Sequence, residues 1–425
     1  MDDNLKLTPA EEAAKEFVLK LVLKGYRQSE LCDVSFTEDI FRLPDFYDDA
    51  KFKRGQKYFM DNRFGIMQSN FSGLFSLICE PTGANTLDKT NHSSNAITAR
   101  KRYADTIFHM LSWYTDPLKP GSKSWESLKR VRKMHLAASN ASLQRTGLGI
   151  PQTFMTFTVF GFMGYALVKP HLLYIKHDCQ EDREAFVHMW AVIGSMLGIK
   201  DENNMCLHPI EVVELICHIV IRYHFSVFLQ METRIFEKLG RAIAEGLKWY
   251  IPFITYESCL FLARRLAGIP GYQYDVDLSK EFHLRQIFTK AELERIKAGF
   301  QNEKGFEYRQ NLIFDLNMHL IDIKRMPEGS YNKLDTNQID INDKNSALMD
   351  LLDLKYPSEL EITEINDNNL KNYLNGRKFK ELSKTDQIFV KISIGQLKSI
   401  NNVIMKPFVE LTLSFLLSVM KFIHM

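Results

Sequence analysis

Apolar residues recur at helical spacing through almost the whole stretch from residue 43 to residue 272. Pro and Gly mark the breaks between these segments, as at Pro117–Gly121 and Gly147–Pro151. The sequence shows no succession of alternating short strands and no repeat of fixed period. This pattern predicts an all-α domain built as a multi-helix bundle.

The chain of 425 residues divides into three predicted regions. Residues 1–42 form an N-terminal helical segment, because Thr8 is a typical N-cap and Pro9 suits the first helical position. Residues 43–300 form the main domain. Residues 301–425 form a C-terminal extension that is partly loop, is helical in part, and ends in an apolar helix.

The overall composition excludes several classes of protein. A net charge of +2 argues against a dedicated nucleic-acid binder, which needs a strongly basic face. None of the six cysteines forms a CxxC pair, so a reducing, intracellular compartment is expected. The first residues are acidic, and a secretory signal is not expected there. The 30 Phe, 16 Tyr and 17 Met residues favour a wide apolar interior or a hydrophobic ligand site.

Two apolar segments raise the question of a membrane. The segment Gln152–Val168 has no charge, but its seventeen residues fall short of the ~20 that a membrane span needs. It is therefore predicted to be a buried core helix. The segment 403–425 contains Lys406, Glu410 and Lys421 around a short uncharged core. It predicts a helix that packs on the domain or makes peripheral contact with a membrane surface.

A histidine lies on the apolar stripe of the helix predicted around residues 125–138. Leu128, Val131 and His135 share one helical face, and Arg132 lies one turn before His135. A neutral imidazole that faces a cavity can ligate a metal or a haem iron, and a nearby guanidinium can pair with a carboxylate. From spacing alone, a hydrogen-bonded core histidine is the alternative.

An arginine and a threonine, Arg102 and Thr106, share one helical face four residues apart. A cation and a hydroxyl so placed could polarise a bound oxygen species. The alternative is a threonine that donates to the carbonyl four residues earlier. Two further candidates are His188, as a second ligand or a hydrogen-bonded core residue, and the basic pair Arg264-Arg265, as a binding pair or a solvated face.

Several of these motifs occur together in an order that resembles a known family. The pieces are Leu43-Pro44-Asp45-Phe46-Tyr47 with Arg54-Gly55-Gln56, Arg102-x-x-x-Thr106, Arg132-x-x-His135, the helix from Trp190 to Gly198, and Arg264 to Tyr272. Over residues 43–272 the chain resembles the catalytic domain shared by rubber oxygenase (latex clearing protein) and the mpaB-type ER-bound oxygenases. Uncharacterised invertebrate members look most similar.

The resemblance implies a haem-dependent oxygenase. Its fold would be an all-α bundle that encloses a pocket for non-covalent haem b, with His135 as the iron ligand and Arg132 and Arg265 as haem-binding residues. Arg102 and Thr106 match the family's catalytic residues on the side where O2 binds. The implied reaction is oxidative cleavage of a C=C bond in a hydrophobic isoprenoid or lipid. The implied location is the cytoplasm or the ER membrane.

The sequence also departs from the family pattern at the catalytic residues. Rubber oxygenase has a lysine directly before the threonine, and this chain has Asp105. The family's acid on the same side has no clear match here, with Glu80 and then Asp88 as the nearest candidates. Two alternatives therefore stay open, a haem-binding sensor or carrier without turnover and a helical interaction protein that keeps only the fold.

Overall fold

The protein is described from a computed structural model. The described residues are 6–24, 41–80, 83–84, 87–88, 93, 95–146, 149–269, 271–277, 280–282, 284–285, 287–289, 292, 377–400, 411, 413–414 and 417–418. Most of the C-terminal extension lies outside these residues, and in the segment 403–425 the five described residues are helical.

Every regular element in the described part of the chain is helical, which confirms the all-α prediction. The α-helices are α1 (Pro9–Lys24), α2 (Asp49–Cys79), α3 (Ala96–Thr115), α4 (Lys123–Thr146), α5 (Gln152–Val168), α6 (Pro170–Leu173), α7 (Gln180–Leu197), α8 (Ile210–Val220), α9 (Ser226–Met231), α10 (Arg234–Leu247), α11 (Tyr256–Leu266), α12 (Arg377–Glu381) and α13 (Lys384–Ser399). A π-helical turn, Ile221–Phe225, joins α8 to α9.

The long helix α2 is the centre of the bundle, where it packs against α5 and α7. Its N-cap is Asp48, whose carboxylate accepts from the backbone of Lys51. The helix is kinked at Asn62. The side chain of Asn62 donates to the carbonyl of Tyr58 and accepts from the backbone N–H of Lys176, so the kink is tied to the segment before α7.

The uncharged segment Gln152–Val168 forms α5, and almost all of its residues are buried. The predicted core helix is thus confirmed. Among the described residues, one continuous run, Ile210–Gln230, is long and apolar enough to cross a membrane, but 65% of it is buried inside the protein. A core helix of a soluble protein has the same composition, so this run is weak support for a span.

The two ends of the chain pack on the bundle. Helix α1 begins as predicted, with Thr8 accepting from the backbone of Glu11, and packs against α8. Its buried residues Ala14 and Leu21 belong to the main core. Helix α13 packs against α11, and apolar residues of both helices form a second, smaller cluster. The segment 301–376 lies outside the described residues.

A buried carboxylate anchors the segment after α11. Glu281 pairs with the ammonium of Lys169 and lies 3.0 Å from Nε2 of His171. Burial raises the pKa of Glu281, but the hydrogen bond from His171 and the charge of Lys169 outweigh it, so the pKa falls to about 2. The ion pair therefore stabilises the folded chain at every pH at which Glu281 is ionised.

We expect Glu281→Gln to lower the free energy of unfolding at pH 7 by about 2–3 kcal/mol. A carboxyl whose folded pKa is depressed stabilises fully above its unfolded pKa, about 4.3, and loses this contribution as the pH falls towards 2. Urea unfolding of both proteins at pH 7 and pH 3.5 measures the effect. The difference should shrink at the lower pH, and a difference independent of pH would contradict the assignment.

Candidate functional site

Helices α3 and α4 form an antiparallel pair that positions most of the predicted site. They are joined by residues 116–122, and a shared contact fixes their register. The indole N–H of Trp113 donates to Oγ of Ser127 (2.9 Å), and Nδ1 of His109 lies 2.7 Å from the same atom. Arg102 lies seven residues before His109, and His135 lies eight after Ser127. Both are therefore about 10–12 Å along the pair from this contact, in the same direction.

The imidazole of His135 is half-buried, and its Nδ1 is a buried nitrogen without a hydrogen-bond partner among the described residues. Its pKa is lowered to about 4, mainly by burial and then by the positive charges of Arg132 and Arg102. His135 is thus neutral at pH 7, the form that binds a metal ion. Both arginines, like His135, belong to the α3–α4 pair, and their charges contribute to this lower pKa.

The guanidinium of Arg132 reaches from α4 to the end of α7. Its Nη1 donates to the carbonyl of Leu197. On the way it lies against Gly198, where an added Cβ would come within 0.9 Å of Nη1. Gly198 also has a φ of 103°, a left-handed conformation that ends α7 and favours glycine. Burial lowers the pKa of Arg132 to about 10, which leaves the side chain charged at neutral pH.

A buried glutamine holds the same turn from the other side. The amide of Gln152, at the start of α5, donates to the carbonyl of Gly198 (3.0 Å). Its Oε1 accepts from the backbone N–H of Lys200 (3.0 Å). Sequence reasoning missed this role, because the contact joins residues 46 and 48 positions apart. The only sequence signals were an uncharged amide before a core helix and a glycine after α7.

A cavity of about 280 Å³ lies on the Arg132 side of α4. Its walls come from residues 41–46, from α4, and from the end of α7 and the turn after it. Arg132 and Leu136 line it, and His135 is not among the lining residues. Apolar side chains such as Phe46 and Met196 face it together with the charged Asp201. The cavity can thus hold a small group that is apolar on one side and ionic on the other.

Thr106 is half-buried on α3 and bonds within its own helix. Its hydroxyl donates to the carbonyl of Arg102, with Oγ1 and O 2.9 Å apart. The structure therefore shows the alternative given above for this threonine, a hydroxyl that donates to the carbonyl four residues earlier. The hydroxyl oxygen keeps its acceptor capacity, but its proton is engaged in the helix. Asp105 is half-buried beside it on α3.

Arg265 lies elsewhere. Its guanidinium is buried and donates to the carbonyls of Tyr274 and Asp275, both at 2.8 Å, so it holds the segment after α11. Its neighbour Arg264 donates to the carbonyl of Leu229. Helix α11 packs on α2, α10 and α13. The structure thus places the basic pair in structural contacts and does not bring it to the α3–α4 pair.

The remaining candidates also have structural partners. Nε2 of His188 accepts from the backbone N–H of Asp48 (3.1 Å), which helps to begin α2. Glu80 is buried and accepts from the backbone of Gly83 (2.7 Å). Asp88 pairs with Lys238. No group of three or more His, Cys, Asp or Glu side chains that could hold a metal ion occurs in the described part of the chain. A metal ion at this site would therefore be bound by His135 together with a prosthetic group that supplies the other ligands.

Comparison with known proteins gives one family and one structure. No curated protein matches the sequence. A solved structure entitled "Structure of Latex Clearing Protein LCP in the closed state" is 14% identical, and the match covers 81% of this chain and 88% of that one with a TM-score of 0.43. Residues 56–205 include Arg102, Thr106, Arg132 and His135, and they match the family of the ER-bound oxygenase mpaB/B'/Rubber oxygenase, catalytic domain.

Proposed function

We propose that this protein is a haem b-dependent oxygenase that uses O2 to cleave a C=C bond in a hydrophobic isoprenoid or lipid. The match of residues 56–205 to an oxygenase catalytic domain supports the reaction class. The observation that carries the proposal is the neutral imidazole of His135, whose buried Nδ1 has no hydrogen-bond partner in the described residues. A buried nitrogen without a partner destabilises the folded chain unless a bound group compensates for it.

His135 and Arg132 would hold the haem, which needs an imidazole for its iron and cations for its two propionates. His135 provides a neutral ring, and Arg132, one turn before it on α4, provides a cation. A guanidinium has five N–H donors, so the bond from Arg132 to Leu197 leaves donors for a carboxylate. When bound, the haem would supply an iron that reacts with O2.

The chain's own residues would orient and stabilise the reacting groups. Arg102, on α3, carries a positive charge that contributes to the lower pKa of His135, and a cation so placed would stabilise negative charge that develops on oxygen. Arg132 would hold a carboxylate at the end of α7, next to the apolar wall of the cavity. Thr106 would offer a hydroxyl oxygen as an acceptor, because its proton is bonded to the carbonyl of Arg102.

The proposed substrate follows from the apolar character of the interior and from the family. The core is rich in fully buried aromatic rings, and the cavity beside Arg132 combines apolar side chains such as Phe46 and Leu136 with the charged Arg42, Asp45 and Asp201. The apolar side chains would bind a chain of carbon atoms by the area they bury. Rubber oxygenase, which the family description names, supports an isoprenoid chain. The proposed location is the cytoplasm or the ER membrane.

A second candidate is a haem-binding sensor or carrier without turnover. Thr106 gives its proton to the carbonyl of Arg102 and so offers no donor to a bound oxygen species. Asp105, on the same helix, adds a carboxylate that disfavours negative charge nearby. The two candidates differ in O2 consumption with a substrate, and both differ from a helical interaction protein, which would bind no haem.

The experiment that tests the proposal compares haem binding with O2 consumption. The wild-type protein, loaded with haem, should consume O2 when given a polyisoprenoid or an unsaturated lipid. Arg102→Ala should keep the haem absorption band and lose about 100-fold in the rate, because it removes one stabilising donor. Arg130→Ala, an exposed arginine on α4, is the control and should keep both properties. A loaded wild type that consumes no O2 with any such substrate would favour the sensor.

A further inference from the structure

We propose that an exposed apolar edge at the start of α3 and the end of α10 is a membrane-contacting surface that binds a bilayer containing anionic lipids. The edge consists of Ile97, Trp249 and Phe253, which are 73%, 68% and 66% exposed. These three are among the most exposed large apolar side chains in the described part of the chain. The inference does not depend on the proposed reaction, since lipid binding is measured without haem.

Contacts between α3 and α10 hold two parts of the edge together. A Cβ added at Gly246 would lie 2.7 Å from the carbonyl oxygen of Ala96, so the two backbones approach closely there. Three residues later, the ring of Trp249 lies under the guanidinium of Arg100, 5.0 Å from its centroid. Ile97 precedes Arg100 by three residues and shares its helical face. The indole and the isoleucine therefore lie at the same end of the molecule.

In the turn that follows α10, one aromatic side chain is buried in the core and two are exposed to solvent. Tyr250 is 5% exposed and anchors the turn in the core, whereas Trp249 and Phe253 are in solvent. Phe253 has a φ of 66°, in the left-handed region that is strained for a phenylalanine. The strained backbone destabilises the free protein, and no burial of the exposed ring compensates for it. Such a feature indicates a surface that is covered by a binding partner.

Cations surround the apolar residues and favour an anionic membrane as the partner. Arg100 and Lys101 follow Ile97 by three and four residues, and Lys248 is next to Trp249. Glu245 pairs with Lys248 and Glu257 pairs with Arg241, so Arg100 and Lys101 leave positive charge in excess. Tryptophan and phenylalanine with nearby Lys and Arg are typical of proteins that insert a few side chains into the headgroup region. Each such cation strengthens binding to an anionic surface.

The size of the edge argues against a second protein as the occupant. An aromatic side chain buries about 150–250 Å². Three apolar side chains therefore provide a few hundred Å², whereas a stable protein interface buries about 800 Å² on each partner. A bilayer needs only a small convex group of apolar side chains.

The test is co-sedimentation of the full chain with vesicles of phosphatidylcholine, alone or mixed with phosphatidylserine. The wild type should bind the mixed vesicles, and Trp249→Ser/Phe253→Ser should bind at least tenfold more weakly. Arg100→Ala should lose about fivefold, on the mixed vesicles only. The control variant Ile388→Ser/Ile392→Ser changes two exposed residues of α13, 55% and 49% exposed, and should bind like the wild type.

Two further variants separate binding from folding. Phe253→Gly relieves the strained φ, so it should raise the melting temperature while it weakens vesicle binding. Trp249→Phe should keep binding and lose the blue shift of tryptophan emission, because Trp113 and Trp190 are buried and Trp125 is half-buried against the core. Undiminished binding by the Ser/Ser variant would overturn the proposal and point to another segment such as 403–425. Wild type that binds neither vesicle, or that forms a dimer lost in this variant, would overturn it too.

Discussion

Gly198→Ala should lower the free energy of unfolding by about 3 kcal/mol or more. The alanine has to adopt a left-handed φ of 103°, which destabilises by about 1–2 kcal/mol. Its Cβ would also occupy the position of the Arg132 guanidinium, 0.9 Å from Nη1. Arg132 must then leave the carbonyl of Leu197, and a hydrogen bond to a charged group contributes about 1.5–3 kcal/mol. Urea unfolding measures the sum.

A double-mutant cycle isolates the part that belongs to Arg132. In an Arg132→Ala background, Gly198→Ala should keep only the φ penalty, which leaves a coupling of about 1.5–3 kcal/mol between the two positions. Gly268→Ala is the matched control, because its φ is also positive (70°) and nothing lies within 4 Å of an added Cβ. Equal losses for Gly198→Ala and Gly268→Ala would show that Arg132 does not lie against Gly198 in solution.

His135→Ala should abolish the haem absorption band. The wild type is expected to bind one haem per chain with a Soret band, and the variant should bind at least about 100-fold more weakly, since even partners of a metal ligand contribute 10–100-fold. His135→Gly should regain the band when imidazole is added. His208→Ala removes a half-buried ring that packs edge-on against Phe17 and should leave the band intact.

The stability of the haem-free variant distinguishes a ligand from a structural residue. Nδ1 of His135 has no partner in the described chain, so removing the ring relieves an unsatisfied buried nitrogen. We therefore expect the free energy of unfolding of haem-free His135→Ala to stay within about 1 kcal/mol of the wild type. A loss of several kcal/mol without haem would make His135 a core residue and contradict its assignment as the iron ligand.

Local signals predicted the helices well. Thr8 and Pro9 mark the start of α1, and Gly198 marks the end of α7, because capping depends on a few adjacent residues. The burial of α5 followed from its length and lack of charge. These features need no knowledge of the rest of the chain. In segment 403–425 the five described residues are helical, and the rest of the predicted last helix stays a prediction.

The site depended on contacts between distant residues. Helical spacing put His135 and Arg132 on neighbouring faces of α4, and only the resemblance to a family connected them with Arg102. The register that brings α3 and α4 together depends on Ser127, which spacing does not reveal. The hydrogen bonds from Arg132 to the carbonyl of Leu197 and from Gln152 to the carbonyl of Gly198 were not predicted. Helical spacing shows which residues share a face of a helix, but it does not show which distant residues pack against that face.

For Arg265, the structure shows contacts other than those that the family resemblance implied. The resemblance implied a haem-binding role, but in the structure its donors bond to the carbonyls of Tyr274 and Asp275. A buried arginine and a binding arginine have the same sequence pattern, an amphipathic helix followed by a glycine-rich turn. Only the positions of the acceptors distinguish them. The proposed haem contacts therefore rest on His135 and Arg132, and a role for Arg265 in binding stays a prediction.

Titration of the haem-free wild-type protein with haem shows whether the chain binds this cofactor. We expect a Soret band that saturates at one haem per chain, with an unchanged helical circular dichroism spectrum. A protein that is compact and helical, yet develops no such band at any haem concentration, would contradict this expectation.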